Sequence, residues 1–552
     1  MHASQRYAAI LIGAVLSSAG AAGEPKSSYT PQPVFCADGS NRLCPVIPST
    51  LGPDPLLKPS LGYKGLSNDV TSAAQDVQTP FDNMSWQMFV ALNWQADKPK
   101  GDPRQGLTGA GKTVWQTYSR PEDVFGGPAG RCANPKKLPR FNLIAKSGGQ
   151  GPRDEEFLQA TGQPLIDVNG NWTLFERRLN DVEKAYITSK GLNTYNGQKA
   201  FAEGGNTVDF PIGQMTTPAG AVGAIEIKAS WRIIGDQDKA RYFNLQALID
   251  VEGAYVRGGK RLCQEVSLGL VGLHIIQNNG PQGNLLPQFI WASFEHQDNA
   301  PLAQAACDPT DTSCYKKIAN NLCPAPADTR TYSFNSPACA SVTVNVPPSL
   351  PKTEKAFLWE RQPPYAKSYM TRANGNACGT QVARCWQVYS LTRQLNEAWR
   401  AQLTAINSVF ANYFLIGTNW GGKVEPDGQE LVNGSVPAFM GNSTMETYIQ
   451  ADPQFGNCVN CHAGATLAYK KATSDPKKPI TYPADFSFLL GLPKNLCADV
   501  NAGPIMNNQD AQAKCPSVCG KQHTQWNGQW TTTVPGTMSV CGCCRQSTAA
   551  IP

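Results

Sequence analysis

Apolar and polar residues alternate most cleanly in the middle of the chain. Over residues 221–234 the apolar positions Ile225, Ile227, Ala229 and Trp231 fall two apart, the period of a strand with one covered face. Residues 242–251, 266–276 and 289–294 predict further strands, separated by turn residues such as Asn278-Asn-Gly-Pro-Gln-Gly283. The short connections favour antiparallel pairing over a doubly wound sheet. Other segments step by three and four. Residues 81–94 predict a helix that Ser85 can cap. Leu391, Leu395, Trp399, Leu403, Ile406, Phe410 and Phe414 predict a second, ended by Gly417 and the Gly421-Gly422 pair. A third is expected from Ser443 or Thr444, with Glu446 placed for a capping box. Residues 24–75 are rich in Pro, Ser and Gly and read as an extended arm, and residues 300–385 as cysteine-dense loop. The expected fold class is α+β: an antiparallel sheet-and-helix domain, then a small disulfide-stapled β-rich module.

The N-terminus changes this picture by adding an address. Arg6, the apolar run over residues 8–16 and Ala19-Gly20-Ala21 form the pattern of a cleaved export signal. The run is too short to span a bilayer as a helix, although an uncleaved anchor is the alternative. No later stretch approaches ~20 consecutive apolar residues, so no transmembrane segment is expected in the mature chain. The expected location is periplasmic or extracellular. The divisions are a signal at 1–21, an arm at 22–75, a main domain at 76–495, a module at 496–546 and a tail at 547–552. Net charge is +6, from 48 basic and 42 acidic residues, without a dense Lys/Arg run. That gives nucleic-acid binding no support and leaves room for a docking patch toward an acidic redox partner.

Candidate chemistry centres on Cys458-Val-Asn-Cys461-His462, the Cys-x-x-Cys-His signature of covalently attached c-type haem. With 18 Cys and 5 His in 552 residues, random placement predicts roughly 0.005 such strings. The competing reading is a pair of bridged cysteines that happens to precede a histidine. Removing Cys458 and Cys461 leaves 16 cysteines, an even number that an oxidising compartment can bridge. Cys36/Cys44, Cys307/Cys314 and Cys378/Cys385 are close enough in sequence to be local staples. Zinc is disfavoured by scarce histidine and irregular spacing.

His462 is then the proximal iron ligand, and whatever fills the other face decides function. The segment between His462 and Cys497 holds no Met and no His, so the distal wall must come from earlier in the chain. The candidate distal ligands are His274, in an apolar strand, and His296, at a strand end where Glu295 or Asp298 can orient its ring. Each can equally be an internal histidine bonded to neighbours. Met440 and Met445 read as core packing. The many tryptophans default to core, and one or two near a haem can relay electrons.

Ser85-Trp-Gln-Met-Phe-Val-Ala-Leu-Asn-Trp94, Trp291-Ala-Ser-Phe-Glu-His-Gln-Asp-Asn-Ala-Pro301, Asn442-Ser-Thr-Met-Glu-Thr-Tyr448 and the haem motif followed by Ala484-Asp-Phe-Ser-Phe-Leu-Leu490 resemble a bacterial family of exported mono-haem cytochrome c proteins. That resemblance spans about residues 76–495 and implies one haem c. Further on, the strings over 501–512, Trp526-Asn-Gly-Gln-Trp-Thr-Thr-Thr533 and Met538-Ser-Val540 resemble one repeat of the cyanobacterial mannan-binding lectins. The resemblance implies a small antiparallel sheet with a helix, binding to mannose-type glycans, and Asn507, Asn508, Asp510, Gly528, Gln529 and Trp530 as glycan-binding residues. Met506 stands where that family has a loop tryptophan.

Together these readings predict an exported c-type cytochrome that transfers electrons to a redox partner protein or small molecule and is tethered by a glycan-binding module. The alternatives are a haem-dependent oxidoreductase of peroxidase or oxygenase type with an open iron face, and a glycan-binding protein with a structural haem.

Overall fold

The computed structural model describes residues 30–50, 73–98, 101–126, 130–143, 157–159, 161–214, 221–279, 288–309, 311, 314–318, 323, 326, 328–422, 439–452, 456–475, 478–493, 497–522 and 524–544. The signal at 1–21 and the arm over 51–72 lie outside them.

The periodic segments form a layered domain. Helix α1 (Ala73–Leu92) leads into strands β1 (Arg140–Leu143) and β2 (Leu174–Leu179), then helices α2 (Asp181–Ser189) and α3 (Tyr195–Glu203). Strands β3 (Ile225–Ile233), β4 (Asn244–Val251), β5 (Leu262–Asn279) and β6 (Gln288–His296) follow, and then helix α4 (Ser390–Ala405) and strand β7 (Tyr413–Gly422). β5 is the spine of the sheet. One of its edges pairs with β3, and the other pairs first with β4 and then with β6. β2 extends the sheet beyond β3 and β7 beyond β6, all antiparallel as the short connections predicted; β1 joins β4 in parallel.

Strand alternation sorts the sheet into two buried faces. Ile227, Ala229, Leu273, Ile275, Ala292, Phe294 and Leu415 face one way and share a core with α1 and α4. There Trp86 stacks on Trp399 at 5.6 Å and meets the Phe294 ring edge-on at 5.0 Å. Burying each such side chain contributes roughly 2–3 kcal/mol. Ile276, Phe289, Trp291, Phe414 and Ile416 face the opposite way, onto a second core with Val459, Leu489 and Leu490. Asp82 ties the helical layer together: its carboxylate accepts from Thr392 Oγ1 (2.5 Å), Thr418 Oγ1 (2.7 Å) and Gln78 Nε2 (2.8 Å).

Three helical expectations change. α1 starts well before Ser85, which sits inside the helix with its hydroxyl 2.8 Å from that of Thr418, and Pro80 is accommodated within it. The predicted helix over 391–414 splits. α4 ends at Ala405, Asn407 turns the chain in the left-handed region (φ 56°), and Tyr413 onward extends as β7 against β6. The apolar spacing continues past the end of α4 because Phe410 packs on the same core as the helix, whereas Phe414, the last of the series, lies on β7 and faces the second core. The segment after Ser443 forms consecutive turns, not a helix. Its polar side chains bond to the sheet face instead, Ser443 to Glu295 and Thr444 to Ser230.

The disulfides Cys36–Cys44 and Cys307–Cys314 are the expected staples. Cys378 and Cys385 do not pair with each other. Cys378 closes a two-strand hairpin onto Cys339, and Cys385 bridges to Cys323. Cys132–Cys263 adds a long-range tie.

The C-terminal module has strand β8 (Cys497–Gly503), helix α6 (Asn508–Gly520) and strands β9 (Gln525–Val534) and β10 (Met538–Cys544). Its antiparallel sheet runs β8-β10-β9, and Cys515–Cys541 and Cys519–Cys543 staple the helix to β10. A helix-on-sheet unit this small has little core, which the bridges offset. Among the described residues, no helix is long and apolar enough to cross a membrane.

Candidate cofactor and glycan sites

The Cys-x-x-Cys-His segment forms a short helix, α5 (Cys458–Ala463), between α4 and α6 in the chain. Asn457 caps it by accepting from Asn460 N at 3.0 Å. The helix is fixed to the sheet by Val459 in the second core and by Cys458 N, which donates to Asn419 Oδ1 of β7 at 3.2 Å. Cys458, Cys461 and His462 stand at i, i+3 and i+4, so they share one side of the helix. Among the described residues, Cys458 and Cys461 are the cysteines outside a disulfide. Burial, with the Glu446 charge nearby, pushes both thiols above their ordinary pKa. A dithiol poised for disulfide exchange carries the opposite shift.

His462 is held by its backbone neighbour in space. Asp485 and Phe486 both adopt left-handed backbone (φ 47° and 65°), which turns the Phe486 carbonyl toward the imidazole. His462 Nδ1 lies 2.7 Å from that oxygen. A carbonyl only accepts, so Nδ1 carries the proton and Nε2 presents a lone pair. Burial holds His462 down at about 4 despite this bond, so the ring is neutral, the form that binds metal. The rings of Trp291 (5.7 Å) and Phe488 (5.1 Å) stand against it. Two unbridged thiols, an adjacent neutral imidazole with a bare nitrogen and an aromatic wall fit a covalently held haem.

A polar cluster stands on the same sheet face. His274 of β5 is in register with Lys228 of β3 and Ser293 of β6. Glu446, from the turns after Ser443, reaches over them. Its carboxylate lies 3.4 Å from His274 Nε2 and 3.5 Å from Lys228 Nζ, and accepts from Asn442 N at 3.1 Å. Burial opposes the Glu446 charge, but His274, Lys228 and the Asn442 N–H outweigh it and hold the carboxyl at about 2. The His274 contact does not have hydrogen-bond geometry, and among the described residues Nε2 has no other partner. The Glu446 charge acts on Cys458, and those of His274 and Glu446 on His462, so cluster and motif are neighbours.

His296 is placed differently. It is fully buried, stacked on Tyr242 at 3.9 Å. Its Nε2 donates to Arg241 O at 2.9 Å, and Nδ1 accepts from Asp298 N at 3.2 Å. Both nitrogens are engaged, and no contact joins the ring to the motif among the described residues. Glu295 does not orient it; that carboxylate accepts from Ser443 and faces Arg384. Met440 and Met445 are core, as expected. Sequence reasoning missed Lys228 and the Phe486 carbonyl, neither of which carries a motif. It gave Glu446 a capping role only, where the carboxylate also faces Lys228 and the His274 imidazole.

In the C-terminal module, Asn507 caps α6 by accepting from Asp510 N (2.9 Å), while Asp510 accepts from Met506 N (3.1 Å). Trp530 Nε1 donates to Asn508 Oδ1 at 2.9 Å across the helix-strand junction. Gly528 takes the left-handed conformation (φ 84°) that lets β9 turn there. The side chain of Gln529 lies outside what the structure describes. Asn507 and Asn508 are exposed, with Met506 projecting beside them. Thus the structure gathers Asn507, Asn508, Asp510 and Trp530 at one end of the module. The family model for mannan-binding protein matches residues 508–543. The C-terminal module is thus similar to that family over most of its helix and its last two strands. No curated protein and no solved structure matches the chain.

Proposed function

We propose that the chain is an exported c-type cytochrome. Cys458 and Cys461 hold one haem c, His462 supplies the proximal imidazole, and the C-terminal module tethers the electron carrier to mannose-type glycan. The observation that carries this reading is the pairing of the two unbridged cysteines with a histidine whose Nδ1 is fixed by Phe486 and whose Nε2 is bare. When bound, a haem supplies a one-electron couple. The chain's own residues do the rest. The Phe486 carbonyl fixes the tautomer and raises the basicity of the ligand. Trp291 and Phe488 pack against its ring, and Phe486 packs on Trp291. The electrons pass to a redox partner protein or small molecule. His274 is the better candidate for the distal face, because His296 has spent both nitrogens within the protein.

One observation favours a second reading, a haem-dependent oxidoreductase of peroxidase or oxygenase type. A histidine backed by a carboxylate can take and return a proton, and Glu446 stands 3.4 Å from His274 Nε2. A glycan-binding protein with a structural haem ranks third. The test is expression with a cytochrome-maturation system, followed by intact mass and absorption spectroscopy. Added tetrapyrrole mass, lost in Cys458→Ser/Cys461→Ser, supports the haem; its absence sinks it. A low-spin spectrum indifferent to carbon monoxide and cyanide supports the carrier, whereas ready binding of either supports the oxidoreductase.

A further inference from the structure

We infer that the indole N–H of Trp291 is the protein's donor to a propionate carboxylate of the tetrapyrrole. The inference rests on the haem reading above and names a binding residue that the motif does not contain. Trp291 is 3% exposed and, among the described residues, its Nε1 has no acceptor. An N–H buried without an acceptor carries the desolvation cost of that group, so an acceptor supplied by a ligand relieves a real penalty. Trp231 and Trp359 also lack acceptors, but Trp291 is the one of the three whose ring contacts the motif, 5.7 Å from the His462 ring.

Its surroundings offer no substitute. Phe289 and Phe486 flank the indole, and its strand neighbour on β5 is Ile276. The Asn419 side chain, in register on β7, already accepts from Cys458 N. A porphyrin's strong hydrogen-bond acceptors are its two carboxylates. A charged acceptor gives the stronger, shorter class of hydrogen bond. Lys228 adds positive charge on the same sheet face, close enough to act on His462.

Trp291→Phe keeps an aromatic side chain, removes the N–H and gives up the same packed volume with or without haem. It is compared with wild type in two forms of the full chain, expressed with and without the maturation system. Without haem, the substitution removes an unmet donor but also packed volume, so any fall in Tm is small. With haem, it removes a bond, so Tm falls and the midpoint potential moves, while covalent haem mass stays equal to wild type. In the wild type, the Trp291 indole proton resonance shifts downfield on haem loading, a readout that does not depend on the variant folding. Equal Tm changes in both forms, or an indole resonance that does not move, overturn this inference alone. Absence of tetrapyrrole mass in the wild type overturns the haem reading and this inference with it.

Discussion

His462 and Phe486 form a fixed pair, the imidazole Nδ1 donating to the carbonyl oxygen at 2.7 Å. The bond depends on two consecutive left-handed residues, Asp485 and Phe486, a conformation that costs a non-glycine residue of order 1 kcal/mol or more. That strain is offset by an imidazole with one defined tautomer. The expected outcome is that nitrogen-15 spectra of histidine-labelled protein prepared without haem show His462 protonated on Nδ1 and bare on Nε2 at neutral pH. A proton on Nε2 would remove the nitrogen assigned to iron.

Asp82 gives a pH dependence unconnected with the haem motif. Burial raises its carboxyl from 3.8 to about 6, against the bonds from Thr392, Thr418 and Gln78. The folded value lies above the unfolded one, so its contribution is fully present below about pH 4 and is lost as pH rises through about 6. The shift corresponds to about 3 kcal/mol between these limits. Asp82→Asn abolishes this component. Urea unfolding at pH 4 and pH 7.5 should show wild type losing more stability than the variant over that interval. Parallel losses would refute the assignment.

The disulfides differ in what they constrain. Cys132–Cys263 closes a separation of 131 residues and Cys36–Cys44 one of 8. Loop-closure entropy alone assigns about 5 kcal/mol to the first and about 2.5 kcal/mol to the second. Cys132→Ala/Cys263→Ala should therefore lower the denaturation midpoint more than Cys36→Ala/Cys44→Ala. An equal effect would mean that the unfolded chain is already restricted between residues 132 and 263.

The sheet was legible because Ile225, Ile227 and Ala229 repeat every second residue, and the pleat puts that row on one face whatever the partner strand. Helix limits were less so. Leu403, Phe410 and Leu415 share a core, yet Asn407 reverses the chain between them, and spacing records burial without recording direction. Cys378 and Cys385 show the same limit: seven residues of extended backbone carry them to Cys339 and Cys323. The attachment motif was readable as a string. The Phe486 carbonyl and Lys228 were not, because a backbone oxygen has no signature and a strand lysine usually marks only a wet face.

The last prediction concerns the glycan module. Its polar residues partly satisfy each other: Asn508 accepts from the Trp530 indole, and Asp510 and Asn507 close the start of α6. The exposed amides of Asn507 and Asn508 are the groups best placed to meet sugar hydroxyls. Beside these amides stands Met506, 70% exposed, at the position where the resemblance to the lectins implies a loop tryptophan. An aromatic ring there can cover a sugar face that a thioether chain covers poorly. In the full-length protein, Met506→Trp should strengthen binding to mannose-type glycans on an array and leave Tm unchanged, because the side chain already faces solvent. Asn508→Ala should weaken binding and change Tm little, since the Trp530 N–H it releases stands at the exposed surface and can bond to water. If neither wild type nor Met506→Trp retains any mannose-type glycan, the module's fold has been kept without its ligand, and the tether would have to be abandoned while the haem site stands.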